Sequence, residues 1–385
     1  MFSIGRGVVA VGAAASLVGA MLGVVWAESC PAQCASGKVP LGVSVPMSGG
    51  AAAFGQPAAK AIEIGIRELN AAGGVMGIPV ELIVGDDRCD AGMAASVANR
   101  HVEQDKVKFV IGPICPAVAV DAAPIYAKAG VIQFVPTVTT LDVNRGNSDN
   151  LFRIAATDEQ AAQALSAYLA REHKGKKLAV VYGDVFYTRS MAQMIRLALP
   201  DDMKATARFE PLLDSTGVYD RLADKLKRDP PDIIYLALDA GPVVEFIDKL
   251  RKRGMKPLLI GGQHLLSQSF WMQARKAAEG ILVVAPVGWV DNREFRKAVD
   301  LLRQANVLPD LVALYSYAAV QTWAEAVRRA GGGEPRKIID ALRSGEFSTA
   351  VGSVAFDQKG DRRNITYSVL TWQGGRLVPG AEWRQ

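Results

Sequence analysis

Histidine and cysteine are scarce in this chain. Its 385 residues hold three histidines (His101, His173 and His264) and four cysteines. Neither set has the spacing of a metal site, which argues against zinc chemistry and histidine-based catalysis. An excess of one charge is also missing. The 44 Lys and Arg against 39 Asp and Glu leave only +5, with no long basic run. A nucleic-acid binder needs a basic stripe or face, so no nucleic-acid partner is expected. The glycine-rich loop Ser48-Gly49-Gly50 is not G-x-x-x-x-G-K-[ST] and lacks G-x-G-x-x-G spacing, which argues against a nucleotide. No G-x-S-x-G elbow is present either. Without an activated nucleophile or a metal set, no enzyme, cofactor or metal is expected.

Hydrophobic residues make up 50% of the chain and charged residues 22%, ample for a real core. At roughly 150 residues per domain the length predicts two domains or one large one. Arg6 is the only charge in the first 27 residues. The run from Val8 to Trp26 is apolar but for Ser16, and Val25-Trp26-Ala27 ends it with small residues at −3 and −1. That pattern reads as a cleaved signal peptide over 1–27, followed by a tail over 28–37. The competing readings are an uncleaved anchor, since about 19 apolar residues can just span a bilayer, and a lipoprotein acylated at Cys30. No later segment is apolar enough to span a membrane. The expected product is an exported, periplasmic chain of the 358 residues left after these 27. An oxidising compartment then awaits the cysteines. They cluster as Cys30/Cys34 and Cys89/Cys115 and allow three connectivities. The simplest joins Cys30 to Cys34 and Cys89 to Cys115.

Strand and helix signals alternate. Leu41–Val45 reads as a strand and 56–71 as a helix, with Ile62, Ile66 and Leu69 at helical spacing. Val80–Val84 is a strand, and Asp90 is placed to cap a helix reaching about Gln104. Phe109–Gly112 and Val131–Val135 are strands on either side of a helix over about 118–129. This is the signature of a parallel sheet with helices on both faces. The pattern restarts with strands at 178–182, 206–212, 233–238, 258–261 and 281–285, and helices at 158–172, 188–199, 219–228 and 243–253. A second α/β domain follows. Helices at 293–304 and 311–330 come later. The stripe Tyr315, Ala318, Ala319, Thr322, Trp323 and Ala326 reads as core packing rather than a ligand box.

In open parallel sheets, ligands bind beyond the carboxyl ends of the strands. That selects Ser48-Gly49-Gly50, Pro113–Pro116, Thr137–Thr140, Tyr182–Tyr187, Asp239–Gly241 and Gly261–Gln263. Helix N-termini at such places attract anions. Ser48, Thr137 and Thr139 offer hydroxyls for a carboxylate, and Phe54 and Tyr187 offer apolar walls. Asp86-Asp87 resembles a carboxylate pair, but neighbours on a strand point to opposite faces, and strand-end solvation and capping is the better reading.

Several segments carry a resemblance to a family. They are Leu41–Gly49, Glu68–Val75, Asp86–Asp90, Val110–Cys115 and Phe356–Asp361. Together they resemble the type I periplasmic solute-binding proteins of ABC importers, in the leucine/isoleucine/valine-binding branch, over about Val39 to Trp372. The resemblance implies an α/β fold of two lobes, each a parallel sheet flanked by helices, joined by three hinge crossovers. Lobe 1 would take 38–156 and 286–364, and lobe 2 would take 157–285 and 365–385. It also implies a disulfide between Cys89 and Cys115. The implied mechanism is closure of the lobes on a small-molecule ligand, a branched-chain or related amino acid, followed by delivery to permease and ATPase subunits of the importer. The implied protein is a monomer.

The resemblance carries over residue by residue. Thr139 matches a threonine whose backbone and hydroxyl bind ligand, and Thr137 a position whose carbonyl accepts from the ligand's ammonium. Phe54 and Tyr187 fall where aromatics surround the ligand, with Cys115 and Ala117 beside the carboxylate position. Two positions depart. Pro116 stands where a serine usually donates, and proline has no N–H. Gln263 stands where an acid commonly pairs the ammonium, and Asp239, nearby, is the candidate substitute. Arg88 is a candidate extra anion partner, although an exposed arginine is the simpler reading. The departures raise an alternative ligand, an aromatic or short-chain carboxylate or amide without a normal α-amino group. A second alternative is a ligand-sensing domain for a separate signalling chain.

Overall fold

The structure is a computed structural model that describes residues 37–146, 148–213, 216–286 and 292–384. The readings of 1–27 as a signal peptide and of Cys30 with Cys34 therefore lie outside the described residues.

Five parallel strands form the first sheet: β1 (Val39–Val45), β2 (Val80–Asp86), β3 (Phe109–Ile111), β4 (Ile132–Val135) and β5 (Leu151–Arg153). Their order is β2-β1-β3-β4-β5. β1 is an almost continuous apolar run, as a strand buried on both faces must be. The helix Ala52–Ala71 begins four residues before the expected Gln56, because Phe54 N–H and Gly55 N–H already bond the Ala51 carbonyl. Asp90 caps the helix Ala91–Glu103 as expected, accepting from Met93 N–H at 2.9 Å.

The chain then builds a second sheet. It contains β6 (Leu178–Tyr182), β7 (Arg208–Pro211), β8 (Ile233–Ala237), β9 (Leu258–Gly261) and β10 (Leu282–Pro286). Residues alternate between two cores on its faces. Ala179, Val181, Ile234 and Leu236 pack with Phe246 and Trp372. Leu178, Val180, Ile233 and Tyr235 pack with Leu165 and Met191. Helices therefore cover both faces.

After β10 the chain returns to the first core. The helices Arg293–Gln304, Leu311–Ala330 and Pro335–Ser344 bury Leu302, Trp323 and Leu342 with β1–β5. The Trp323 ring meets Phe109 at 5.6 Å. All six stripe residues of the 311–330 helix are buried, so that stripe is core. A small antiparallel sheet follows: β11 (Glu346–Thr349), β12 (Gly352–Phe356) and β13 (Arg362–Arg363). β14 (Tyr367–Gln373) and β15 (Arg376–Arg384) then rejoin the second sheet, β14 antiparallel to β10. Sequence patterning missed β5, β11–β15 and the helices Asp201–Thr206, Gln268–Ala274 and Pro335–Ser344.

Candidate functional site

The loops beyond the first sheet are pinned from beneath. Asp86 Oδ1 accepts from Met47 N–H at 2.8 Å, and Asp86 Oδ2 accepts from the Ser48 hydroxyl at 2.6 Å. These bonds hold its carboxyl below the usual range. Asp87 points the other way. It is fully buried rather than solvated, and accepts from Ser44 Oγ at 2.9 Å and Cys89 N–H at 3.0 Å. The two acids thus anchor separate backbone turns and do not form a pair. Gly55 lets the 52–71 helix abut this loop, since a Cβ there would lie 1.7 Å from the Pro46 carbonyl oxygen. Cys89 is bonded to Cys115, with Cα atoms 5.7 Å apart. Arg88 is exposed and lies 3.7 Å from Asp86.

Cys115 precedes the helix Pro116–Lys128, where proline at the first turn loses no intrahelical bond. Ala117 is exposed in that first turn. Thr137 Oγ1 donates to the Ile114 carbonyl at 2.9 Å, tying the two strand-end loops together. Arg153, wholly buried, clamps the next turn by donating to the carbonyls of Val138 and Thr140 at 2.7 Å. Its Nε donates to Asp361 Oδ1 at 2.7 Å. These bonds fix Thr139, which is buried at the end of the loop.

Thr139 meets the start of the second sheet's first helix, Asp158–Glu172. Its carbonyl accepts from Asp158 N–H at 2.9 Å, and its hydroxyl is near enough to lower the Asp158 pKa. Asp158 Oδ2 also accepts from Ser190 Oγ at 2.6 Å. Asp158 Oδ1 is buried with no partner among the described residues. Burial raises the Asp158 pKa above the usual carboxylate value, against the lowering effect of Ser190 and Thr139. The Tyr367 hydroxyl is likewise buried without a partner, and it lies within electrostatic reach of Asp158 and Tyr235. A buried polar atom left open in this way is costly unless something pairs with it.

Tyr187 opens the helix Phe186–Ala198 and is half-buried. Its hydroxyl lies 3.2 Å from His264 Nδ1, while His264 Nε2 lies 3.1 Å from the Leu236 carbonyl. Burial pushes the Tyr187 phenol up and lowers His264 to about 4. Asp158 and Asp239 both act on Tyr187. Asp239 precedes the helix Ala240–Lys252 without capping it, is exposed, and has its pKa raised by the protein around it. Gln263 Oε1 accepts from the Tyr315 hydroxyl at 3.4 Å, a long bond from the 311–330 helix to the second sheet. Gly262 permits this turn, because a Cβ there would meet the Tyr235 hydroxyl at 2.8 Å.

Thr139, Tyr187, Asp239 and Gln263 therefore gather around Asp158 and His264. Cys115, Pro116 and Thr137 form the adjoining loop floor. Phe54 is 61% exposed and makes no described contact with this group. Sequence reasoning missed Asp158, Ser190, Tyr235, His264 and Tyr367. Asp158 read only as the start of a helix, Tyr235 as a strand residue, and Tyr367 had no element assigned to it. A cavity of about 960 Å³ lies elsewhere, between Phe295, Val299 and Leu314 on one side and Leu266 and Trp372 on the other, and holds none of the expected residues. Among the described residues no His, Cys, Asp and Glu group is arranged for a metal ion, and no helix is long and apolar enough to cross a membrane.

Residues 38–376 match the family model described as periplasmic binding protein. A Leu/Ile/Val-binding protein homolog 1 from Brucella melitensis is 29% identical over 368 residues, spanning 94% of this chain and 95% of that protein. The isoleucine complex of the branched-chain amino acid transporter substrate binding protein LivJ from Streptococcus pneumoniae is 23% identical. It superposes with a TM-score of 0.75, over 88% of this chain and 97% of that one. A solute binding protein of an ABC transporter from R. palustris, in complex with benzoate, is 19% identical with a TM-score of 0.77, over 89% and 95% of the two chains.

Proposed function

This chain belongs to the periplasmic binding protein family and is not an enzyme, and from that premise we propose that it is the solute-binding component of an ABC importer for branched-chain or related small amino acids. The observation that carries the ligand class is Asp158. Its open carboxylate oxygen sits where the two sheets meet, beside Thr139 and Tyr187. A buried carboxylate with one oxygen unspent suits an ammonium group, which repays the cost of holding the charge there. The acid missing at Gln263 is thus supplied from a different element. The carboxylate end of the ligand would face the first turn of the 116–128 helix, where the Ala117 N–H stands free of proline's handicap.

The lobes in this reading are 38–156 with 286–364, and 157–285 with 365–385. On these bounds the Asp158–Thr139 and Tyr315–Gln263 hydrogen bonds run from one lobe to the other. Similarity to named amino-acid binding proteins supports the transport role, with permease and ATPase subunits as partners of a monomeric, exported chain. The apolar run before Ala27 supports export through a cleaved signal peptide.

A second reading has the same role but an aromatic or short-chain carboxylate as ligand. Pro116, which has no N–H, and the neutral Gln263 favour it, as does the fold's likeness to a benzoate-bound protein. Calorimetry on the purified, ligand-stripped chain separates the two. Leucine, isoleucine or valine binding with no benzoate binding is the expected result. Benzoate binding with no response to any amino acid overturns the first reading.

A further inference from the structure

His264 lies next to the proposed site without being assigned to it. Its two ring nitrogens have different partners. Nε2 faces the Leu236 carbonyl at 3.1 Å, and a carbonyl only accepts, so Nε2 carries the proton. The ring is largely enclosed and its pKa falls to about 4, so it is neutral near pH 7. Nδ1 then holds a lone pair. The Tyr187 hydroxyl, 3.2 Å away, has to donate to it. The two ring centroids lie 5.8 Å apart with the planes at 70°, an edge-to-face contact. Once that proton is spent, the phenol oxygen has only lone pairs to offer any other group. Asp158 and Asp239 stand near the same tyrosine. Around Tyr187, the phenol oxygen and those two acids, when ionised, offer only acceptors.

We propose that His264 is a positioning residue that makes the Tyr187 hydroxyl an acceptor toward the ligand, so that a bound molecule must present a hydrogen-bond donor there and its carboxylate elsewhere. The proposal rests on the reading that Tyr187 faces the ligand. It adds the direction of that contact and the residue that sets it.

Two measurements test it. The first needs no ligand. A two-bond proton–nitrogen spectrum of the full chain with labelled histidine has only three rings to resolve, and His264→Phe identifies the relevant one. A neutral ring protonated on Nε2 near pH 7 is expected. A ring protonated on Nδ1, or on both nitrogens, overturns the proposal.

The second compares L-leucine with 4-methylpentanoate, the same skeleton without its amino group. His264→Phe should weaken leucine about tenfold more than 4-methylpentanoate, as expected for one hydrogen bond to a charged group. Tyr187→Phe should do the same, and the double variant should lose no more than either single one. Equal losses for both ligands, or losses that add, would show a merely structural histidine and overturn the proposal. If neither leucine nor its analogue binds and benzoate does, the amino-acid reading fails, while the spectrum still decides the direction of the Tyr187 hydroxyl.

Discussion

The molecule contains one hydrogen-bonding arrangement twice, once in each sheet's surroundings. Near the first sheet, His101 Nε2 faces the Ile83 carbonyl at 3.1 Å and Nδ1 faces the Tyr126 hydroxyl at 3.0 Å. Near the second, His264 faces the Leu236 carbonyl and the Tyr187 hydroxyl in the same way. Both rings are lowered to about 4 by burial. Each tyrosine also has an acid in reach, Asp87 for Tyr126 and Asp158 for Tyr187. The difference is in what remains unspent. His101 and Tyr126 are wholly buried, and both Asp87 oxygens are engaged. Tyr187 is half-buried, and one Asp158 oxygen is open. The same chemistry is structural where every valence is filled and is proposed as a site where one is left over.

The largest expected effect comes from breaking the closed pair. His101→Ala leaves a cavity, a buried carbonyl and a phenol without partners, and should cost about 3–5 kcal/mol of stability in urea unfolding. Ligand affinity measured by calorimetry should not change. A loss of affinity without a loss of stability would abolish the contrast between the two pairs.

Next come the acids. Asp158→Asn should lower amino-acid affinity by about ten- to a hundredfold, from about 1.5–3 kcal/mol of charge-assisted bonding. The urea midpoint should not fall, because the neutral amide removes an unpaired buried charge. Asp87→Asn should do the reverse, lowering the midpoint and leaving affinity alone.

Acidity gives a third test. His101 has a folded-state pKa of about 4, below the unfolded value of about 6.5. The folded chain therefore binds fewer protons between those limits. Its stabilising contribution is complete above about pH 6.5 and is lost as pH falls toward 4. Urea midpoints across that range should fall with acidity, and His101→Phe should flatten the slope. Asp158 runs the opposite way. Burial raises its folded pKa, so its contribution to the free protein's stability is present at low pH and lost as pH rises through the raised value. Amino-acid affinity should rise through that same window, as the carboxylate ionises.

The smallest effect sharpens the comparison. Tyr126→Phe leaves one buried nitrogen unpaired and should cost about 1 kcal/mol of stability. It should leave the preference for leucine over 4-methylpentanoate unchanged.

Much of the fold was legible because its signals are local. Asp90 announces its helix by capping it, and the apolar run of β1 announces a buried strand. β5 has three residues and β13 two, too few for a period to show. The helix Pro335–Ser344 carries Ile338, Ile339 and Leu342 on one face, a helical period that its ten residues show only briefly. At the site, Thr139 and Tyr187 were legible as strand-end residues. Asp158 was not, because an acid in the first turn of a helix is ordinary, and only the approach of Thr139 and Ser190 makes it a buried anchor. Gln263 reads as a missing charge in the sequence, and the acid proposed to replace it lies on another element.

By itself, then, the sequence determined the alternation of strands and helices, the restart after the first sheet, and the loops from which a site would be built. Those follow from periodicity and turn chemistry, which act over a few residues. The packing of residues 298–356 with the first sheet was implied by the family resemblance and not by any local pattern, and tertiary structure alone decided that β14 pairs antiparallel with β10. It also decided that Asp158 keeps an oxygen open and that His264 takes the proton of Tyr187. Burial and hydrogen-bond completion depend on what arrives from distant parts of the chain, and no local pattern encodes which valence is left unfilled.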